Sequence, residues 1–193
     1  QLPGMLYGAV LRAPVEGAAP QTVGDAKARA VPGVIKIVSL PYGVGVVAKT
    51  PTAAFQAKQA LAVTWSKDGK GWSFDSVRGG DAFAAAARDV KTPGMLWDQK
   101  GNYADALDHA PHVIEAEYRC DFVYHAQMEP LNAVASVSPR GDALELWSGT
   151  QSKTNAVDMA AKTLGIALDK ITYHDMLMGG GFGRRGHRDQ EYI

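Results

Sequence analysis

The chain has 193 residues, 46% of them hydrophobic and 21% charged, which is the composition of a globular protein and excludes a disordered one. Twenty basic residues balance twenty acidic ones, so the electrostatic footprint of nucleic-acid binding is missing, and no apolar run reaches the roughly 18 residues that span a membrane. The lone Cys120 excludes an internal disulfide and a cysteine-rich metal site.

Residues 5–12, MLYGAVLR, read as a strand closed by Pro14, and 24–31 as a short helical stretch. Val31-Pro32-Gly33-Val34 is a turn signal, because proline presets φ and glycine accepts a positive one. VIKIV at 34–38 alternates as a half-buried strand does, and VGVVA at 44–48 reads as a buried strand. Thr50-Pro51 opens a helix, with threonine as N-cap and proline in the first helical position. That helix carries Ala54, Ala57, Lys58 and Leu61 on one side, and VTW at 63–65 is a further strand. The short connections predict a compact α+β unit of antiparallel character. Residues 74–89 are helix-like although Gly79-Gly80 weakens their middle. Residues 90–111 show no periodicity, and a connector of that length marks a domain boundary.

A second unit begins at residue 112. HVIEAEYRC (112–120) alternates and is expected to form a strand. Residues 132–138 and 143–148 are expected to pair as a hairpin around Pro139-Arg140-Gly141-Asp142. The strongest helix signal covers 152–165, with Ser152 as its cap, Val157, Ala160, Ala161 and Leu164 on one face, and Gly165 where a C′ glycine belongs. KITYHDM (170–176) is a strand that runs into a glycine loop. The C-terminal DQEYI looks helical but shows neither a capping glycine nor a basic last turn, and Gln1 stands where an initiator methionine would; the chain is expected to be a fragment of a longer protein.

Four of the five residues from 179 to 183 are glycine. Each glycine costs about 0.5–1 kcal/mol of backbone entropy relative to alanine, so the run needs a cause. One cause is a tight strand-to-helix turn. The other is close approach of the backbone to a ligand, with N–H groups offered to an anion or a polar edge. Gly181 to Gly186 spells G-x-G-x-x-G, yet a dinucleotide fingerprint should open a βαβ unit and precede an acidic residue by roughly 20 positions. Here it follows antiparallel-looking sheet, and its first glycine is the third of a GGG run. A nucleotide-dependent oxidoreductase using GFGRRG and a non-catalytic α+β interaction module both stay open as alternatives. His109 and His112 flank Pro111, which argues against the helix that would make them a metal pair.

Three stretches, in this order, carry a resemblance: His125-Ala126-Gln127-Met128-Glu129-Pro130, Trp147-Ser148-Gly149-Thr150-Gln151, and Gly179-Gly180-Gly181-Phe182-Gly183-Arg184-Arg185. Together they resemble the first molybdopterin-binding region of the xanthine oxidase family of molybdenum hydroxylases. The Met-Glu-Pro form and the Arg-Arg after GGGFG look most like the molybdenum-binding β subunits of isoquinoline 1-oxidoreductase and its relatives. The N-terminal MLYGAVLRAP…VPGVIKIV…VGVVA…AAFQAKQALAVTW resembles the α/β hammerhead domain that precedes this region.

The resemblance implies an α+β chain with an α/β hammerhead domain and trailing helix at 1–89, a connector at 90–111, and the truncated start of a molybdopterin-binding domain, of mixed sheet and helices, at 112–193. It implies molybdenum held through the dithiolene of a pterin, the cytosine dinucleotide form in bacterial relatives, with no protein ligand to the metal. Gln151 matches a glutamine whose amide bonds a metal-ligand oxygen. Phe182 and Gly183 match residues whose backbone lies against the metal centre and pterin, with Gly180 and Gly181 allowing that approach. Arg184 and Arg185 are candidates for a cofactor phosphate, since arginine forks suit phosphate; solvation, or pairing with acids elsewhere, is the open alternative. Glu129 is implied as a supporting group near the cavity. The implied reaction is hydroxylation of an N-heteroaromatic carbon or an aldehyde with oxygen from water. The base glutamate falls beyond Ile193, and two iron–sulfur clusters are implied on a small partner subunit, so the isolated chain is expected to be inactive.

Overall fold

The computed structural model describes residues 3–92, 94–124 and 126–187. The C-terminal helix expected over DQEYI, and His125, lie outside the described residues. The chain divides into two compact units, Gln1–Asp121 and Phe122–Ile193. Among the described residues no helix is long and apolar enough to cross a membrane.

The first unit is antiparallel, as the sequence predicts. Strand β1 (Tyr7–Arg12) pairs with β4 (Gly43–Ala48), which pairs with β3 (Val34–Leu40), giving the sheet order β1-β4-β3. Central β4 is the VGVVA stretch, and Val44, Val46 and Ala48 are buried in it. Helix α2 (Pro51–Gln59) starts as expected: Thr50 Oγ1 accepts the Ala53 N–H at 3.2 Å and Pro51 follows. It buries Ala53, Ala54 and Ala57 against the sheet, and short side chains let helix and sheet approach closely; Leu61 packs on the edge of the cluster that Val46, Ala57 and Ala28 of α1 (Ala26–Arg29) form.

Strand β2 (Pro20–Gly24) carries no alternation in the sequence and pairs with β5 (Ala62–Trp65) through a bulge. A 2.6 Å bond between the Thr22 and Thr64 hydroxyls ties the pair. Helix α3 (Ser76–Arg88) runs through Gly79-Gly80 because Asp75 caps it, accepting the Arg78 N–H at 2.9 Å. The stretch 90–111 holds one short helix, α4 (Tyr103–Asp108), capped by Asn102.

The strand expected at 112–120 does not form. A strand needs a neighbour's edge to satisfy its backbone, and this segment has none among the described residues. Ile114 and Tyr118 are 94% and 91% exposed. Ion pairs tie the segment to α3 instead: Arg88 forks onto Glu117 at 2.7 and 2.9 Å, and Arg119 reaches Asp81 at 3.2 Å.

The second unit is built on β6 (Ala133–Val137), β7 (Leu144–Ser148) and β8 (Ile171–Asp175). β6 and β7 form the expected hairpin, and β8 lies parallel to β7. Helix α5 (Lys153–Leu164) makes the crossover between them, packing Ala160 against Leu144 and Leu146. Gly165 ends it at φ 67°, as its C′ position predicts. Ser152 stands at the N-cap but its side chain makes no capping bond; the preceding Thr150 hydroxyl accepts the Ser152 N–H at 3.1 Å.

Leu146 is fully buried at the centre of this sheet. Leu146→Ala should cost about 3 kcal/mol. The measurement is hydrogen-exchange protection over β6–β8, which should fall while the β1-β4-β3 sheet keeps its own.

Candidate functional site

The parallel pair fixes where the motifs meet. Ser148 stands opposite Asp175, so the C-terminal ends of β7 and β8 lie side by side. Gly149-Thr150-Gln151 leaves one end and residues 176–186 leave the other, and Met176 N donates to Ser148 O at 3.2 Å across the gap. In open sheets with parallel strands such ends are where ligands are held. Below them Tyr173 Oη donates to Ser148 O and meets Ser148 Oγ, both at 2.7 Å, closing the floor. Burial pushes the Tyr173 phenol up, so it stays a donor.

A buried cation pins the loop. Arg185 has no exposed surface. Its Nη2 donates to Glu129 Oε2 at 2.9 Å and to Glu129 O at 3.0 Å, and Nη1 donates to Gly149 O at 3.2 Å. The same Glu129 Oε2 accepts the Gly179 N–H at 2.6 Å, and Asn132 Nδ2 donates to Glu129 Oε1 at 3.1 Å. One carboxylate thus holds both ends of the glycine loop and joins it to the Met-Glu-Pro stretch. Arg185 therefore takes the open alternative: it pairs with an acid and does not face solvent.

Gln151 is fixed at both ends. Its backbone N–H donates to Arg185 O at 3.1 Å, and its Oε1 accepts the Gly183 N–H at 2.8 Å. Because Gly183 contributes a donor, the side-chain atom facing it is the oxygen, which turns Nε2 the other way. Nε2 has no hydrogen bond to a described residue, and the side chain is exposed.

The glycines answer to this crowding. A Cβ on Gly181 would stand 2.5 Å from Gln151 Oε1, one on Gly179 2.5 Å from Glu129 Cβ, and one on Gly149 2.6 Å from Met178 Cγ. Gly180 and Gly183 take φ of 100° and 88°, and Phe182 between them takes 50°, a left-handed conformation that side-chain-bearing residues rarely adopt. The Gly180 and Gly181 amides make no hydrogen bond to a described residue. Arg184 to Gly186 form a 3-10 turn, with Arg184 N donating to Gly181 O at 3.0 Å and Gly186 N to Gly183 O at 3.1 Å. Among the described residues the loop runs into this 3-10 turn and no α-helix opens there.

The structure therefore brings Glu129, Gln151 and Gly180–Gly183 together, with Arg184 half-buried beside them. Two of the donors expected for a ligand are already used: Gly183 N by Gln151 and Gly179 N by Glu129. The donors left are the Gln151 amide and the Gly180 and Gly181 N–H groups. That set is neutral and donor-only, which fits oxygen or pterin acceptors held without added charge. The glycines that pass closest to Gln151 and Glu129 have no room for a Cβ.

Comparison with known proteins bears on what such a site holds. Residues 88–192 match the family described as the molybdopterin cofactor-binding domain. The chain is 43% identical over 190 residues to isoquinoline 1-oxidoreductase subunit beta of Brevundimonas diminuta, covering 96% of this chain and 24% of that protein. It is 28% identical to the membrane-bound aldehyde dehydrogenase [pyrroloquinoline-quinone] of Gluconacetobacter polyoxogenes, over 96% of this chain and 25% of that one. Among solved structures, quinoline 2-oxidoreductase from Pseudomonas putida 86 shares the fold at a TM-score of 0.66 and 22% identity, over 98% of this chain and 29% of that one. The chain spans about a quarter of the length of each of these two curated relatives.

The Glu129 carboxyl is held below the usual glutamate range, chiefly by the Gly179 N–H, then by Asn132 and the Arg185 charge. A folded-state pKa below the unfolded one stabilises the fold fully above the unfolded value, and that stabilisation is lost as pH falls through it toward the folded value. The loop should therefore lose protection from about pH 5 downward. Hydrogen exchange of peptides spanning 179–187 against pH checks this, and Glu129→Gln should flatten the dependence.

Proposed function

The chain belongs to the molybdopterin cofactor-binding family of xanthine oxidase-type molybdenum enzymes, and from that premise we propose that it supplies one wall of the cofactor site of a molybdenum hydroxylase large subunit. The observation that carries this is Gln151: its oxygen is spent on Gly183, and its Nε2 is left as an uncharged donor at the C-terminal ends of β7 and β8. The bound molybdenum–pterin group supplies two-electron oxidation with oxygen taken from water. The chain's own residues position it. Gln151 Nε2 would hold the group by donating to one of its oxygens, and the Gly180 and Gly181 amides, with the Phe182 and Gly183 backbone, would lie against it. Arg184 faces a cofactor phosphate from the half-buried turn that follows. Glu129 holds the loop from behind and touches no substrate.

We assign residues 1–89 to an α/β hammerhead domain with α3 trailing it, 90–111 to the connector, and 112–193 to the N-terminal part of the molybdopterin-binding domain. The order β1, β2, α1, β3, β4, α2, β5 supports the first assignment, and the family match from residue 88 supports the last. The substrate class is an N-heteroaromatic compound or an aldehyde, because isoquinoline and aldehyde enzymes both stand among the relatives. The cofactor is the cytosine dinucleotide form. Two iron–sulfur clusters on a small partner subunit complete the electron path, a reading supported by the beta-subunit designation of the isoquinoline relative. By itself the chain is inactive. An interaction module leaves the Gln151 donor and the crowded glycines without a purpose.

The test is molybdenum per chain, by elemental mass spectrometry, on the complete protein purified with its small subunit; a ratio near one is expected, and none would remove the reading. Gln151→Ala should keep the metal and lower turnover of isoquinoline by about 100-fold, the scale of losing a preorganised donor. Gly181→Ala should do the same indirectly, since its Cβ displaces the Gln151 side chain.

A further inference from the structure

We propose that Arg185 and Glu129 are positioning residues for Gln151, the buried guanidinium locking the backbone carbonyl on which Gln151 hangs. This rests on the assignment of Gln151 as a donor to the cofactor. The circuit is continuous. Glu129 Oε2 fixes Arg185 Nη2 at 2.9 Å. The carbonyl of Arg185 accepts the Gln151 N–H at 3.1 Å and the Thr150 Oγ1 hydroxyl at 2.7 Å. Gln151 Oε1 returns to Gly183 N, two residues before Arg185. Gln151 has no other hydrogen bond to a described residue, so its direction is set by the turn at 183–185.

That turn is held from within by the Arg185 side chain. The guanidinium spans Gly149 O on one strand end and the Glu129 carbonyl and carboxylate on the Met-Glu-Pro stretch. A lysine in its place carries one compact ammonium and cannot span both sets of acceptors. Glu129 cannot be neutralised without effect either. A glutamine there would keep one acceptor for Gly179 and Arg185, but its amide hydrogens would meet the Asn132 Nδ2 donor. Among the described residues Arg185 Nε is buried without a partner, which the site tolerates for the sake of the four acceptors the two Nη atoms reach.

The test uses the complete holoenzyme with its small subunit and compares Arg185→Lys, Glu129→Gln, Gln151→Ala and the double variants with Gln151→Ala. The readouts are molybdenum per chain, the molybdenum EPR signal after dithionite reduction, and kcat and KM with isoquinoline as probe. A positioning role predicts metal near one per chain in Arg185→Lys, a kcat lower by about tenfold with KM little changed, and an EPR shift in the direction that Gln151→Ala produces. In the Gln151→Ala background the same change should alter kcat by less than about twofold, because the group being positioned is gone. Effects that multiply independently of Gln151 would overturn the proposal. So would an EPR signal unchanged in both Arg185→Lys and Glu129→Gln. Loss of folding in both would also overturn it, since the pair would then carry the fold and not the direction of one side chain. A wild-type enzyme without molybdenum, or an inert Gln151→Ala, would instead remove the assignment beneath it.

Discussion

One carboxylate oxygen governs the second unit. Glu129 Oε2 accepts a backbone N–H from the first residue of the glycine loop and a guanidinium N–H from its far end. The arginine is wholly buried, so its charge has lost its water and must be repaid by acceptors. The structure supplies a carboxylate and three carbonyl oxygens. Removing Glu129 would strand the buried guanidinium without its carboxylate, whereas the carboxylate itself is partly open to solvent.

That constraint explains the glycines better than flexibility does. Gly149, Gly179 and Gly181 are required by contacts with Met178, Glu129 and Gln151, and only Gly180 and Gly183 by positive φ. The strain at Phe182, held in the left-handed region, is concentrated at the loop tip beside the candidate donors. The ends of the loop are clamped through Glu129, and Gly179 and Gly181 are crowded by Glu129 and Gln151. Preorganisation of that sort is what a site needs if neutral amides are to compete with water for an oxygen acceptor.

Outside the loop the supporting fold is economical. α5 and the β7–β8 pair form a crossover that sets two strand ends together, and Leu146 fills its centre. In the first unit an alanine face on α2 packs on the valines and alanine of β4. By contrast α3 buries no residue, and the stretch from 90 to 124 presents large apolar side chains, Trp97 at 88% exposed among them.

Local chemistry was legible in the sequence. The Thr50-Pro51 helix start, the Gly165 helix end and the β6–β7 hairpin depend on neighbours a few residues apart, and periodicity and cap residues encode such neighbours directly. The three motifs around Glu129, Gln151 and the glycine run were legible through their resemblance, in this order, to the molybdenum hydroxylases. What depended on distant partners was not legible. β2 has no alternation of its own and exists by pairing with β5; residues 112–120 alternate well and yet form no strand, for want of an edge. Ser152 does stand at the N-cap, but its side chain makes no capping bond, and its own N–H goes to the Thr150 hydroxyl. Above all, the sequence left Arg184 and Arg185 equivalent. Only the tertiary structure, by carrying Glu129 within 2.9 Å of a residue 56 positions away, buried one of them and left the other half-buried beside the loop. An ion pair between residues so far apart in the chain leaves no periodic signal, whereas its consequence, a loop with no room for a Cβ, is written in the glycines.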